Sequence, residues 1–215
     1  MRSDEGSITH LARRSTARVL SSLSERVFPE AGPGDLHWQR VALNRAVDDF
    51  IADLDPSGLS AIEISGDFRK GSGWKEFTAT HHPEFDICEP MVGRGSYDVV
   101  ICEQVLEHVV DPAAAAANLK LLARRGGRVI VSTPFLIRIH ELPMFGMRDY
   151  WRFTPRGLGL LLENAGLEII SLGSWGNHEA IIGNLDRWAA HKRWHPMTNE
   201  PDLPVQVWAF ARNPD

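Results

Sequence analysis

The chain has 215 residues, 43% of them apolar and 24% charged, with a formal net charge of −5. That length carries one globular domain with a full hydrophobic core, and the mildly acidic balance has the wrong sign for a nucleic-acid or membrane-surface protein. Cys88 and Cys102 lack C-x-x-C spacing and lie in or beside apolar runs, so they read as buried reduced thiols and not as a disulfide or a metal pair.

No stretch reaches the ~18 apolar residues of a membrane span. The opening "MRSDEGSITHLARR" has no apolar core of a secretory leader, which makes the cytoplasm the expected location. Residues 7–28 carry apolar positions at helical spacing (Ile8, Leu11, Val19, Leu20, Leu23, Val27) with arginines between them. "PEAGPG" at 29–34 breaks that helix. Residues 36–54 form a second amphipathic helix, ended by "DPSG" at 55–58.

From residue 59 strands and helices alternate. "LSAIEIS" and "KEFTATH" are strands. "YDVVICE", 97–103, is a nearly unbroken apolar run, as expected of a strand covered on both faces. A helix follows from Asp111, with Pro112 in its first turn and a stop at Gly126–Gly127. "RVIVSTPF" is a strand, and "TPRGLGLLLENAG" a helix with Thr154 as N-cap, Pro155 at N1 and Gly166 at its end. "LEIISLGSW" and "VQVWAFARN" pair as an antiparallel hairpin at the sheet edge. The expected architecture is a Rossmann-like, doubly wound, mostly parallel α/β sheet with that edge hairpin and an N-terminal helical arm. The expected division is an arm or lid over residues 1–58 and a domain over 59–215. Ligands of such sheets bind outside the carboxyl ends of the strands, which puts the loops after Ser65, Cys102 and Thr133 in one crevice.

The segments "SYDVVICEQVLEHVVDP" and "LLARRGGRVIVSTPF" closely resemble class I S-adenosylmethionine-dependent methyltransferases over residues 59–175. "HELPMFGMRDYWRFTPRGLGLLLENAG" resembles the H-x-x-P…D-Y-W-R-x-T-P block of a subgroup that modifies sugars and natural products. The resemblance implies S-adenosylmethionine as cofactor. It implies cofactor contacts at Glu63, Ser65, Gly66, Asp86 and Ile87, and along the loop of Cys102, Glu103 and Gln104. The loop keeps Glu63 and Gly66, but Asp67 and Phe68 replace the further glycines of the family. The acid that grips the ribose is also missing, and His81 stands in its place. Glu107–His108 matches the family's E-H pair, where the histidine either supports the loop or acts as a base.

Methyl transfer to an acceptor needs alignment and a group to take the acceptor's proton. His140, in a loop after a strand end, is the leading base. With a reference pKa near 6.5 it suits a hydroxyl acceptor, or else it ties its loop to Asp149. Tyr150 and Arg152 crowd the same loop. Arg152 either clamps an anionic acceptor or pairs with Asp149. Trp175, Asn177 and His178 follow a later strand end as further acceptor contacts. The nine histidines are scattered and no H-E-x-x-H occurs, so no metal is expected. No G-x-G-x-x-G supports a dinucleotide oxidoreductase. The expected function is O-methylation of a small molecule, with a homodimer open and neither nucleic acid nor membrane as partner. The rival is a degenerate cofactor-binding domain that acts through a partner enzyme.

Overall fold

A computed structural model describes residues 23–91, 95–141, 143 and 146–215. Most of the helix expected over 7–28 lies outside them, and residues 23–27 are helical. The longer elements are α1 (Arg40–Asp53), β1 (Ser60–Glu63), β2 (Glu76–Ala79), β3 (Tyr97–Glu103), α2 (Pro112–Leu122), β4 (Ala123–Pro134), α3 (Pro155–Asn164), β5 (Glu168–Trp175), α4 (His178–Gly183) and β6 (Gln206–Arg212). The strands form one sheet in the order β2-β1-β3-β4-β6-β5. The first four run parallel, and β6 lies antiparallel between β4 and β5. This is the expected mostly parallel doubly wound sheet with an antiparallel edge pair.

The period of two along β3 sorts its side chains between two layers. Val99 and Ile101 face α1, where Leu43, Val47 and Ile51 pack on them with Ala61 and Ile130. Val100 and Cys102 face the opposite layer, with Ala115, Ala116 and Leu119 of α2 and Leu158 and Leu162 of α3. The helix at 40–53 therefore forms one cover of the sheet.

The helix caps are readable. Asp111 accepts from the backbone N–H groups of Ala113 and Ala114, both at 3.0 Å. Thr154 accepts from Gly157 at 3.1 Å, and Gly166 takes the left-handed φ of +82° beyond α3. The Gly-Gly stop is different. α2 ends at Leu122 and the chain enters β4 at Ala123, paired with Tyr97. Asn213 does the capping: its amide donates to the carbonyls of Ala123 (2.8 Å) and Lys120 (3.2 Å). Gly126, with φ +74°, is a kink inside the strand.

The segment between β5 and β6 supplies a third cluster, in which Trp38, fully buried, packs with Trp175, Ala180, Ala189 and Val205. Backbone bonds Trp38 N–H to Ala189 (2.8 Å) and Ala31 N–H to Trp188 (2.7 Å) strap this segment to the N-terminal stretch. The strap carries Trp188 to the mouth of the crevice. Among the described residues, no helix is long and apolar enough to cross a membrane.

Candidate active site

Two strands of the crevice end in strained residues. Ser65, just past β1, has φ +57°, and Gln104, just past β3, has φ +58°. Non-glycine residues rarely hold this conformation, and such strain clusters at functional sites. Gln104 is pinned by its neighbours. Its N–H donates to the Ser132 carbonyl at 2.9 Å, and its amide donates to Ser132 Oγ (3.1 Å) and Gln206 Oε1 (2.9 Å).

Glu63 closes the loop after β1. Its buried carboxylate accepts from the N–H groups of Phe68 (3.1 Å) and Arg69 (2.9 Å). Burial raises its pKa, and these backbone donors work against that rise. A Cβ on Gly66 would sit 2.9 Å from Glu63 Oε1, so the glycine makes room for this carboxylate. Glu103 is equally committed. Arg69 grips it through Nε (2.5 Å) and a terminal nitrogen (3.1 Å), Arg40 adds a bond of 3.1 Å, and Arg69 also reaches Asp48 at 2.7 Å.

A small slot of about 130 Å³ is lined by Ser65, Asp86, Ile87, Cys88, His108 and Tyr150 among others. Asp86 Oδ1 accepts from Cys88 N–H at 2.8 Å. A cavity of about 620 Å³ adjoins it through His108 and Met147, which line both. Its walls include Leu36, Arg40, Phe68, Gln104, His140 and Trp188.

His140 stands edge-on to Trp188, with ring centres 5.3 Å apart, and to His108 at 4.9 Å. Its backbone N–H donates to Asp149 Oδ2 at 2.8 Å. Its Nδ1 lies 3.1 Å from the same oxygen, off the line of a straight hydrogen bond. Arg152 holds both Asp149 oxygens, one through a contact of 2.6 Å, and donates to the Arg138 carbonyl at 3.1 Å. Burial works to raise the Asp149 pKa, and Arg152 and the His140 N–H overcome it, leaving it below the usual range. Burial lowers the His140 pKa, helped by His108 and Arg152 against Asp149. Arg152 thus takes the structural pairing of the two alternatives.

His108 Nδ1 lies 2.7 Å from the Arg148 carbonyl, which only accepts. His108 therefore carries a proton on Nδ1, and its neutral form turns the lone pair of Nε2 away from that carbonyl. Behind it, Glu107 is fully buried, neither carboxylate oxygen has a hydrogen-bond partner among the described residues, and burial pushes its pKa up to about 8.

The side chains of other expected contacts are placed as follows. His81 is exposed, with its carbonyl accepting from Phe85. Cys102 is fully enclosed in the core, and burial raises its thiol pKa. Trp175 is buried against Trp38 and donates to the Met197 carbonyl at 3.1 Å. Asn177 caps α4 and bonds the carbonyls of Pro196 and Thr198. His178 is exposed on α4. β5 does end on the crevice side of the sheet, but two strands beyond β4. The sequence reading missed Arg40, Arg69 and Trp188, whose places depend on contacts far along the chain. It also expected no cluster of metal-ligating groups, whereas Glu107, His108 and His140 converge. Positions 32 residues apart follow no motif spacing.

A family model described as a methyltransferase domain matches residues 17–172. The chain belongs to that family. With its sheet topology, this makes it a class I S-adenosylmethionine-dependent methyltransferase domain. Among curated relatives, the ubiquinone biosynthesis O-methyltransferase of Saccharophagus degradans is 33% identical over 146 residues, covering 61% of this chain and 56% of the relative. The protein of the same name from Aeromonas salmonicida is 36% identical over 101 residues, covering 41% and 42%. The matched stretch spans about half the length of these relatives. The solved 1,6-didemethyltoxoflavin-N1-methyltransferase of Burkholderia thailandensis shares the fold, with a TM-score of 0.54 at 14% identity and coverage of 83% and 81%.

The residues present fit S-adenosylmethionine. The slot has an apolar floor at Ile87 and one Asp86 oxygen beyond its bond to Cys88, and the cavity beside it carries the cationic Arg40 for a carboxylate.

Proposed function

We propose that this methyltransferase domain methylates a hydroxyl oxygen of a small molecule, a sugar or natural-product intermediate, held in the 620 Å³ cavity. The cofactor supplies a methyl group already activated on a sulfonium. Asp86 and Ile87 would hold its adenine end and Arg40 its carboxylate. Ser65, Gln104 and the Glu63-capped loop present backbone along its length.

The chain's own work is alignment and proton removal. His140 supports this reading best, because it stands in the cavity wall with Asp149 behind its ring and Arg152 fixing Asp149. An acceptor hydroxyl in the cavity would pass its proton to the imidazole face that looks away from Asp149. Oxygen as acceptor atom is further supported by the names of the curated relatives. Asp35, Leu36, His37 and Arg40 line the cavity together with His140 and Met147, which supports a lid formed by the part of the arm (1–58) before residue 41 and the loop 136–153, while the rest of α1 stays packed on the sheet.

Calorimetric titration with S-adenosylmethionine and with its demethylated product tests the reading. Binding of both is expected, weakened at least tenfold by Asp86→Ala. No binding of either at millimolar concentration would sink it. Once an acceptor is found, full turnover by His140→Ala would remove the base assignment.

A further inference from the structure

Among the described residues the buried carboxylate of Glu107 has no hydrogen-bond partner, and that is the observation to explain. Burying a carboxyl group that has no hydrogen-bond partner is costly whether it is ionised or neutral. Here both oxygens lack a donor at zero exposure. Oε1 faces two imidazole nitrogens, His108 Nε2 at 3.8 Å and His140 Nε2 at 4.0 Å.

With both rings neutral, neither nitrogen offers it a proton. His108 spends its N–H on the Arg148 carbonyl at 2.7 Å. His140 turns Nδ1 to Asp149 at 3.1 Å, where a carboxylate favours the proton. One ligating atom from each of Glu107, His108 and His140 lies within 4.8 Å of the other two. The charges around them do not fill the gap. Asp149 is neutralised by Arg152, and Arg40 is bonded to Glu103.

We propose that Glu107, His108 and His140 form a binding site for one divalent cation of the zinc class, open to the cavity. Two imidazoles and one carboxylate suit such an ion, whereas magnesium and calcium prefer all-oxygen sets. Ligating histidines characteristically give their second nitrogen to a carbonyl or a carboxylate, and Arg148 and Asp149 supply one of each. Bonds of about 2.1 Å require the triangle to contract from its 3.8 and 4.0 Å sides. Three protein ligands leave a coordination position, and His108 and His140 both border the 620 Å³ cavity.

The site itself does not depend on methyl transfer. Its consequence rests on that reading. A cation there acts as a Lewis acid on the acceptor hydroxyl, and in the loaded protein His140 is a ligand and not the base.

The full chain, stripped with a chelator and dialysed, is titrated with zinc chloride by calorimetry and with cobalt chloride by visible absorption. One cation per chain at micromolar affinity or better is expected, with cobalt absorption typical of mixed nitrogen–oxygen ligation. Glu107→Gln and His140→Ala should each weaken binding by more than the about 10–100-fold that loss of an outer-shell partner costs, and Asp149→Asn by about tenfold. Circular dichroism and binding of the demethylated cofactor verify that each variant is folded. Absence of zinc heat and cobalt absorption in the wild type overturns the proposal, as does zinc binding that survives in both folded variants. Cation binding without cofactor binding would instead refute the methyltransferase reading and leave the cation site standing.

Discussion

Glu103 and Glu107 lie one helical turn apart in sequence, are both buried, and are opposites. Glu103 sits between two guanidiniums, with Arg69 bound in turn to Asp48 and to the loop that Glu63 closes. The Glu107 carboxylate meets no donor among the described residues. A buried carboxylate that is fully paired holds the chain together. One left without a partner, beside two imidazoles at a cavity wall, is placed for something that comes from outside.

The sharpest way to break this contrast is to unpair Glu103. Arg69→Ala leaves Glu103 with one cation and removes the anchor of Asp48, so unfolding in urea should show a loss of about 3–5 kcal/mol. Gly66→Ala is expected to cost less, about 1–2 kcal/mol, by pushing Glu63 off its two loop amides. The same denaturation measurement checks it, and cofactor affinity should fall in parallel. Glu107→Leu should cost least. Exchanging an unpartnered buried carboxylate for an apolar group of similar size is neutral or stabilising, so metal-free protein should stay within about 1 kcal/mol of wild type or gain. A loss of 3 kcal/mol or more would mean that Glu107 has a structural partner and that the contrast is false.

Much of the scaffold was legible because its signals are local. The apolar run of β3 falls at 97–103 as read, and Thr154 and Gly166 bracket α3. The end of α2 was not legible, because the cap comes from Asn213, 90 residues from Ala123. The crevice could be placed from the alternation of strands and helices, but its contents could not. Glu103 followed a strand and looked free for a ligand, yet its partner Arg69 stands 34 positions earlier. Trp175 and Asn177 followed a strand end too, and packing and capping took them both. Glu107 carried a family pattern but no hint of its missing partner, which only the fold reveals.

The position of β6 has a consequence for how the sheet assembles on the ribosome. Among the described residues, β5 touches the rest of the sheet only through β6, which is made about 30 residues later. At roughly 5–20 residues per second, β5 waits on the order of seconds with no ladder partner, and β4 waits longer with one edge bare. Each is an open template for another chain during that interval. This pair of strands is most exposed to mispairing just before β6 emerges, and slower decoding of residues 176–205 would lengthen that window.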